Sequence, residues 1–169
     1  MKWTIYKGLH SANVLWRGYH AGNELRRTVI FDRSCYYNTL PEGEEGDWNK
    51  VGYWGRIWPW WDGVNFGWRW VNLGGQRAFQ MGWYIHDNSP QHESGLMDSY
   101  VPPPDWKEIR AETYIRKFGK DTAFVLNIED RGMETALVPK RIDGNWLTAP
   151  FFGGQAVAPH VIQIKIEKQ

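Results

Sequence analysis

Along most of this chain apolar residues return at every second position, and clusters of turn residues break the alternation every 8–15 residues. A period of two belongs to strands, whose successive side chains leave on opposite faces. In the last segment Ile162, Ile164 and Ile166 alternate with Gln163, Lys165 and Glu167. Phe79, Met81, Trp83 and Ile85 alternate in the same way with Gln80, Gly82, Tyr84 and His86. Phe66, Trp68 and Trp70 oppose Asn65, Arg69 and Val71, and Leu25, Val29 and Phe31 oppose Glu24, Arg26, Thr28 and Asp32. Further strands are expected at 2–6, 13–19, 50–57, 108–118, 122–130 and 133–139. Turns are signalled by Pro41-Glu42-Gly43, Trp61-Asp62-Gly63, Leu73-Gly74-Gly75, Asp87-Asn88-Ser89-Pro90, Ile142-Asp143-Gly144-Asn145 and Gly153-Gly154. Strands with one apolar face must cover it, so this many at this spacing predict an antiparallel sandwich or barrel. Helical signal is thin. Asp105, after Pro102-Pro103-Pro104, is placed to cap one helical turn, but the content of 108–118 favours a strand. The triple proline reads as a loop between sheets.

The length of 169 residues predicts a single domain over 1–169, large enough to bury a core without staples. No repeat, low-complexity tract or linker interrupts it. Twenty basic residues against nineteen acidic give a net charge of +1. A nucleic-acid binder or a polybasic membrane binder needs a surplus of Lys and Arg, so neither partner is expected. No run approaches the roughly 20 apolar residues of a spanning helix. The opening MKWTIYKGLH has no apolar core of a signal peptide, which predicts a cytoplasmic or virion-associated protein. One cysteine, Cys35, excludes an internal disulfide framework and a multi-cysteine zinc site.

Two stretches carry a resemblance. Pro150-Phe-Phe-Gly-Gly-Gln-Ala-Val-Ala-Pro-His160, followed by alternating apolar residues to Ile166, resembles the C-terminal strand pattern of concanavalin A-like jelly-roll proteins. Asp47-Trp48-Asn49-Lys50 through Phe66-Gly67-Trp68-Arg69-Trp70 is similar to small uncharacterised bacterial and phage proteins of that type. The resemblance implies an all-β, concanavalin A-like jelly-roll sandwich of two antiparallel sheets. It also implies that a concave sheet carries any glycan-binding or catalytic groups. It does not choose among lectins, hydrolases, lyases and structural proteins.

The twelve tryptophans are the unusual component. Sugars present flat C–H faces that stack on aromatic rings, and indole adds an N–H donor. Trp68 and Trp70 share a face with Phe66 and belong to the core. Trp58, Trp60 and Trp61 lie among turn residues, where no alternation hides all three, so they form the expected stacking platform. Polar contacts are expected from Gln80, Tyr84 and His86, on the face opposite Phe79 and Met81, and from Arg69 on the preceding strand. Gly82 leaves room there for a ligand.

The same polar residue types suit β-elimination of a uronate, where Arg and Gln neutralise the carboxylate and His or Tyr moves the proton. This resembles the concave face of jelly-roll alginate lyases, with departures. Asn23-Glu24-Leu25-Arg26 only echoes their Arg-x-Glu-Leu-Arg strand. Tyr84-Ile85-His86 replaces Gln-Ile-His, and Tyr-Phe-Lys-Ala-Gly is absent. A polar sheet face with ordinary cross-strand pairs is the simpler reading.

Other chemistry is poorly supported. The Glu-x-Asp-x-x-Glu pattern of jelly-roll hydrolases does not occur, and Glu108, Arg110 and Glu112 read as surface charge pairs. The acidic loop of Glu42, Glu44, Glu45 and Asp47 matches no calcium motif, and the five histidines show no zinc spacing. No metal site is therefore expected. His160 is read as a structural hydrogen-bonding residue. Cys35 is read as a buried apolar residue in a strand with Tyr36 and Tyr37. Neither GxxxxGK nor GxGxxG occurs, so no cofactor is expected. The expected function is non-catalytic carbohydrate binding through Trp58, Trp60, Trp61, Arg69, Gln80, Tyr84 and His86. Two rivals are a phage structural or assembly protein that packs its aromatics on a protein partner or a second copy, and a polysaccharide lyase.

Overall fold

The computed structural model describes residues 1–12, 24–38, 48–55, 62–87, 92–119, 121–132, 134–138, 146–147, 150–153 and 156–168. Within these, the side chains of 24–25, 53–55, 62–63, 83–87, 92–97, 117–118, 134–138 and 146–147 are left undescribed. The described strands are β1 (Lys2–Ile5), β2 (Glu24–Asp32), β3 (Asn49–Gly55), β4 (Asp62–Leu73), β5 (Gln76–Asp87) and β6 (His92–Tyr100). They continue as β7 (Glu108–Phe118), β8 (Asp121–Ile128), β9 (Glu134–Val138), β10 (Trp146–Leu147) and β11 (Ile162–Lys168). One sheet has six strands in the order β1-β11-β2-β7-β8-β9, and the other has five in the order β10-β3-β4-β5-β6. Every neighbouring pair is antiparallel.

The alternation decides which face each strand buries. On the six-stranded sheet Val29, Phe31, Ile109, Ala111, Phe124, Leu126, Ile162 and Ile164 are buried. Against them the five-stranded sheet buries Val64, Phe66, Trp68, Trp70, Phe79 and Met81. Ring contacts cross the gap: Phe31 lies 5.5 Å from Trp68 and 4.9 Å from Phe79, and Phe66 lies 6.4 Å from Phe124. The molecule is therefore a β-sandwich whose core is the two facing apolar surfaces. Trp68 and Trp70 are 0% and 1% exposed, as their alternation predicts. Truncating either to alanine would remove about 3–5 kcal/mol of stability.

Several local expectations need correction. Cys35 is buried but closes a one-turn 3-10 helix, Arg33–Cys35, and does not lie in a strand. The turn forms because the Asp32 carboxylate accepts the Ser34 backbone N–H at 2.8 Å. This local bond competes with the sheet ladder. Asp105 caps no helix. Trp106 N–H returns to the Pro103 carbonyl at 3.0 Å, and the proline-rich passage crosses from β6 in one sheet to β7 in the other. Arg27 shares the inward face of β2 with Val29 and is 7% exposed, which pushes its guanidinium down to about 10 by desolvation. The strand expected at 13–19 lies outside the described residues. No helix among the described residues is long and apolar enough to cross a membrane.

The C-terminal motif joins the sheets. Phe151 exchanges backbone hydrogen bonds with Lys50 at the start of β3, and Phe152 N–H reaches the His10 carbonyl. His160 makes the structural contact its position predicts, with Nε2 2.6 Å from the Ser34 carbonyl.

Candidate functional site

The outward face of the five-stranded sheet is organised by one turn. Gly74 and Gly75 connect β4 to β5 with φ of 60° and 86°, a left-handed pair that L side chains resist. The Asn72 carboxamide accepts the Gly75 N–H at 2.9 Å. This turn sets Leu73 opposite Gln76, and the register then carries Arg69 opposite Gln80, Gly67 opposite Gly82 and Asn65 opposite Tyr84.

Arg69 and Gln80 meet directly. Arg69 Nε donates to Gln80 Oε1 at 2.8 Å, and Gln80 Nε2 donates to Ser99 Oγ at 3.0 Å on β6. On the other side the Arg69 guanidinium lies 4.2 Å from the Trp48 ring centroid. The result is a continuous row, Trp48–Arg69–Gln80–Ser99, running across the strands. Cation–π attraction and charge-assisted bonding hold its members in one arrangement.

Next to this row two strand positions, Gly67 and Gly82, carry no side chain, and both are buried. Gly67 and Gly82 pair side by side, and a Cβ on Gly67 would stand 2.8 Å from Trp48 Cε3 and 3.0 Å from the Asn49 carbonyl oxygen. Trp48 therefore lies flat over the backbone at Gly67. It is 9% exposed, so it walls the row and is not itself a stacking platform. Register irregularities flank the glycine pair, between Lys50 and Gly52 on β3 and between Gly82 and Tyr84 on β5. Such bulges re-aim side chains.

Of the residues singled out in the sequence, Arg69 and Gln80 are brought together. Tyr84 and His86 occupy register positions on the same face, opposite Asn65 and Gly63, with their side chains outside the description. Trp58, Trp60 and Trp61 lie outside the described residues. Sequence reasoning missed Trp48, Ser99 and the role of Gly67. A glycine interrupting the aromatic alternation at 66–68 was the available signal, because a strand glycine often marks a close approach.

The outward face of the six-stranded sheet is different in kind. A cavity of about 300 Å³ lies over the row Glu167–Thr28–Glu112–Asn127, rimmed by Arg110, Glu129, Asp130 and Lys168. Two of its charges are engaged in pairs: Arg110 with Glu108 at 3.2 Å and with Glu167 at 3.5 Å, and Glu167 also with Lys165. The Lys165 hydrogen bond holds the Glu167 carboxyl below the usual range. These are exposed pairs worth little individually. Among the described residues no three His, Cys, Asp or Glu side chains gather where they could hold a metal ion.

No protein-family model and no curated protein matches the sequence. Solved structures similar in fold include a functionally unknown protein from Saccharomyces cerevisiae, 12% identical, with a TM-score of 0.52 over 99% of this chain and 88% of that one. At that identity the likeness is one of fold alone. Weaker likenesses include the alginate lyase from Klebsiella pneumoniae, 11% identical, with a TM-score of 0.49 over 86% of this chain and 59% of the lyase. Another is the Ruminococcus gnavus IT-sialidase CBM40 bound to alpha2,6 sialyllactose, 5% identical, with a TM-score of 0.33 over 100% and 92% of the two chains. Scores this low do not carry function from those sandwiches to this one.

Proposed function

We propose that the protein is a concanavalin A-like jelly roll that binds a glycan on the outward face of its five-stranded sheet without transforming it. The observation that carries this reading is the locked row Arg69–Gln80–Ser99, anchored at one end by Trp48 seated over Gly67. A carboxamide has two N–H donors and two lone pairs. Ser99 and Arg69 each use one, which leaves Gln80 one donor and one acceptor for sugar hydroxyls. The surrounding bonds already hold its rotamer, so little conformational entropy is lost on binding. Trp58, Trp60 and Trp61 supply the stacking surface in this proposal, and Tyr84 and His86 extend the polar contacts along the same face.

Tryptophan fluorescence with acrylamide as quencher tests it. The probes are xylan, mixed-linkage β-glucan and alginate. At least one polymer is expected to shield a subset of tryptophans from the quencher. Gln80→Ala should abolish that shielding while leaving the unfolding curve in place. If none of the three shields any tryptophan, binding on this face is wrong. Ultraviolet absorbance rising on alginate, lost in His86→Ala, would replace binding by β-elimination on the same face. Burial of the tryptophans in a stable oligomer would replace it by assembly.

A further inference from the structure

The polar row ends on a strand that ought to be loose. Among the described residues β6 pairs with β5 on one side alone, and an edge strand frays more readily than an interior one. Yet Ser99 supplies the acceptor that orients Gln80. Its own backbone is held from behind by side chains. The Asp98 carboxylate accepts the Ser99 N–H at 2.8 Å, and Arg131 Nη1 donates to the Ser99 carbonyl at 2.6 Å. Both backbone groups of Ser99 are thus met on the side away from β5. In an antiparallel ladder this makes Ser99 and Gln80 a pair whose side chains approach most closely, which suits the 3.0 Å bond between them.

Arg131 belongs to the other sheet's connection, just after β8. Its guanidinium stands 3.9 Å from the Asp98 carboxylate and 5.9 Å from the Tyr100 ring centroid, so it is itself located. We infer that Arg131 is a positioning residue for the outward face of the five-stranded sheet. It acts through Ser99 on the carboxamide of Gln80, and the inference rests on the glycan-binding reading of that face. The chemistry depends on direction. Gln80 must present Oε1 to Arg69 Nε, since the flipped carboxamide would set a donor against a donor. Arg69 Nε, which can only donate, selects that orientation; Ser99 Oγ then accepts from Nε2 and holds the carboxamide in it, and Arg131 keeps Ser99 in place.

Capping of the β6 edge alone is the simpler role, and it predicts lost stability with an unaltered Gln80. Arg131→Met separates the two, because it keeps an unbranched side chain and removes the guanidinium. The readouts are the Gln80 side-chain amide resonances in full-length protein, assigned by their absence in Gln80→Ala, and the affinity for whichever of xylan, mixed-linkage β-glucan or alginate the wild type binds. In Arg131→Met the resonances should move toward those of an exposed carboxamide, and affinity should fall about five- to tenfold, the effect of one or two weakened hydrogen bonds. Arg131→Lys, which keeps a donor for the Ser99 carbonyl, should restore most of both. Unmoved Gln80 resonances in folded Arg131→Met overturn the inference, and so do moved resonances with unchanged affinity. Should Arg131→Met fail to fold, Asp98→Asn weakens the hold on Arg131 while keeping an acceptor for Ser99 N–H, and its Gln80 resonances decide in the same way. If the wild type binds none of the three polymers, the glycan reading falls, and the resonances still decide whether Arg131 orients Gln80.

Discussion

Gly67 shows how one missing side chain arranges several others. Trp48 can lie over the strand because nothing projects from position 67, and Arg69 then has an aromatic face to rest on. In Gly67→Ala the new methyl must displace either the indole or the Asn49 backbone, and the backbone is held by the Lys50–Phe151 bonds beside it. The indole should therefore move. The expected loss is about 1–3 kcal/mol, the range for overpacking, read as a lower urea midpoint with unchanged slope. Near-ultraviolet circular dichroism should change with it, because a tryptophan has left its fixed setting. An unchanged spectrum would mean that Trp48 does not depend on Gly67. The meeting of Arg69 with Gln80 was legible in the sequence, since alternation and the Gly74–Gly75 turn fix their register. Trp48 and Ser99 were not, because their places depend on a strand start and an edge strand that no local pattern announces.

The connection after β8 shows what an element inherits from its surroundings. Arg131 N–H closes on the Ile128 carbonyl at 3.1 Å, and both central residues are left-handed, Glu129 at φ 52° and Asp130 at φ 54°. Asn-Gly would be the ordinary choice for this type I′ pattern, and an L side chain there costs about 1–2 kcal/mol. Glu129 is compensated, because its N–H reaches the Arg110 carbonyl at 2.9 Å and its carboxylate accepts the Arg110 N–H at 2.6 Å. Asp130 has no such ties among the described residues. Asp130→Gly should raise stability by about 0.5–1 kcal/mol after the extra freedom of glycine in the unfolded chain is allowed for. A urea midpoint that falls would show that Asp130 has a stabilising contact. The turn also explains why the strand expected over 122–130 ends at Ile128: Glu-Asp is not a hairpin signature, and bonds to β7 impose the bend. β6 was unreadable for a related reason. Its sequence HESGLMDSY does not alternate, and its pairing with β5 slips at a bulge.

At the scale of the whole molecule, the two sheets were legible because their apolar faces alternate. The seam that closes them was not, because it is built from distant residues. Tyr37 is its centre. The ring is 3% exposed, 5.7 Å from Trp68 and 5.3 Å from Phe152. Its hydroxyl accepts from Asn49 Nδ2 at 2.7 Å, and Asn49 Oδ1 in turn accepts the Gly153 N–H at 2.7 Å. Burial pushes the phenol up to about 12, against the smaller opposing pull of the Asn49 donor. A raised phenol favours folding fully below its unfolded value near 10, and that contribution of about 3 kcal/mol drains away as pH climbs toward 12. Two other buried groups titrate in the alkaline range. Cys35, pushed well up by burial, acts in the same sense as Tyr37, and Arg27, pushed down, acts in the opposite sense. Wild-type stability alone would mix all three, whereas Tyr37→Phe retains the other two and removes only the phenol. At neutral pH the variant should be less stable by about 1–3 kcal/mol, since Asn49 Nδ2 loses a buried acceptor. As pH rises from about 10 toward 12 the two urea-derived stability curves should converge. Parallel curves would mean that Tyr37 ionises as an exposed tyrosine does, and that the seam between the sheets is open to water.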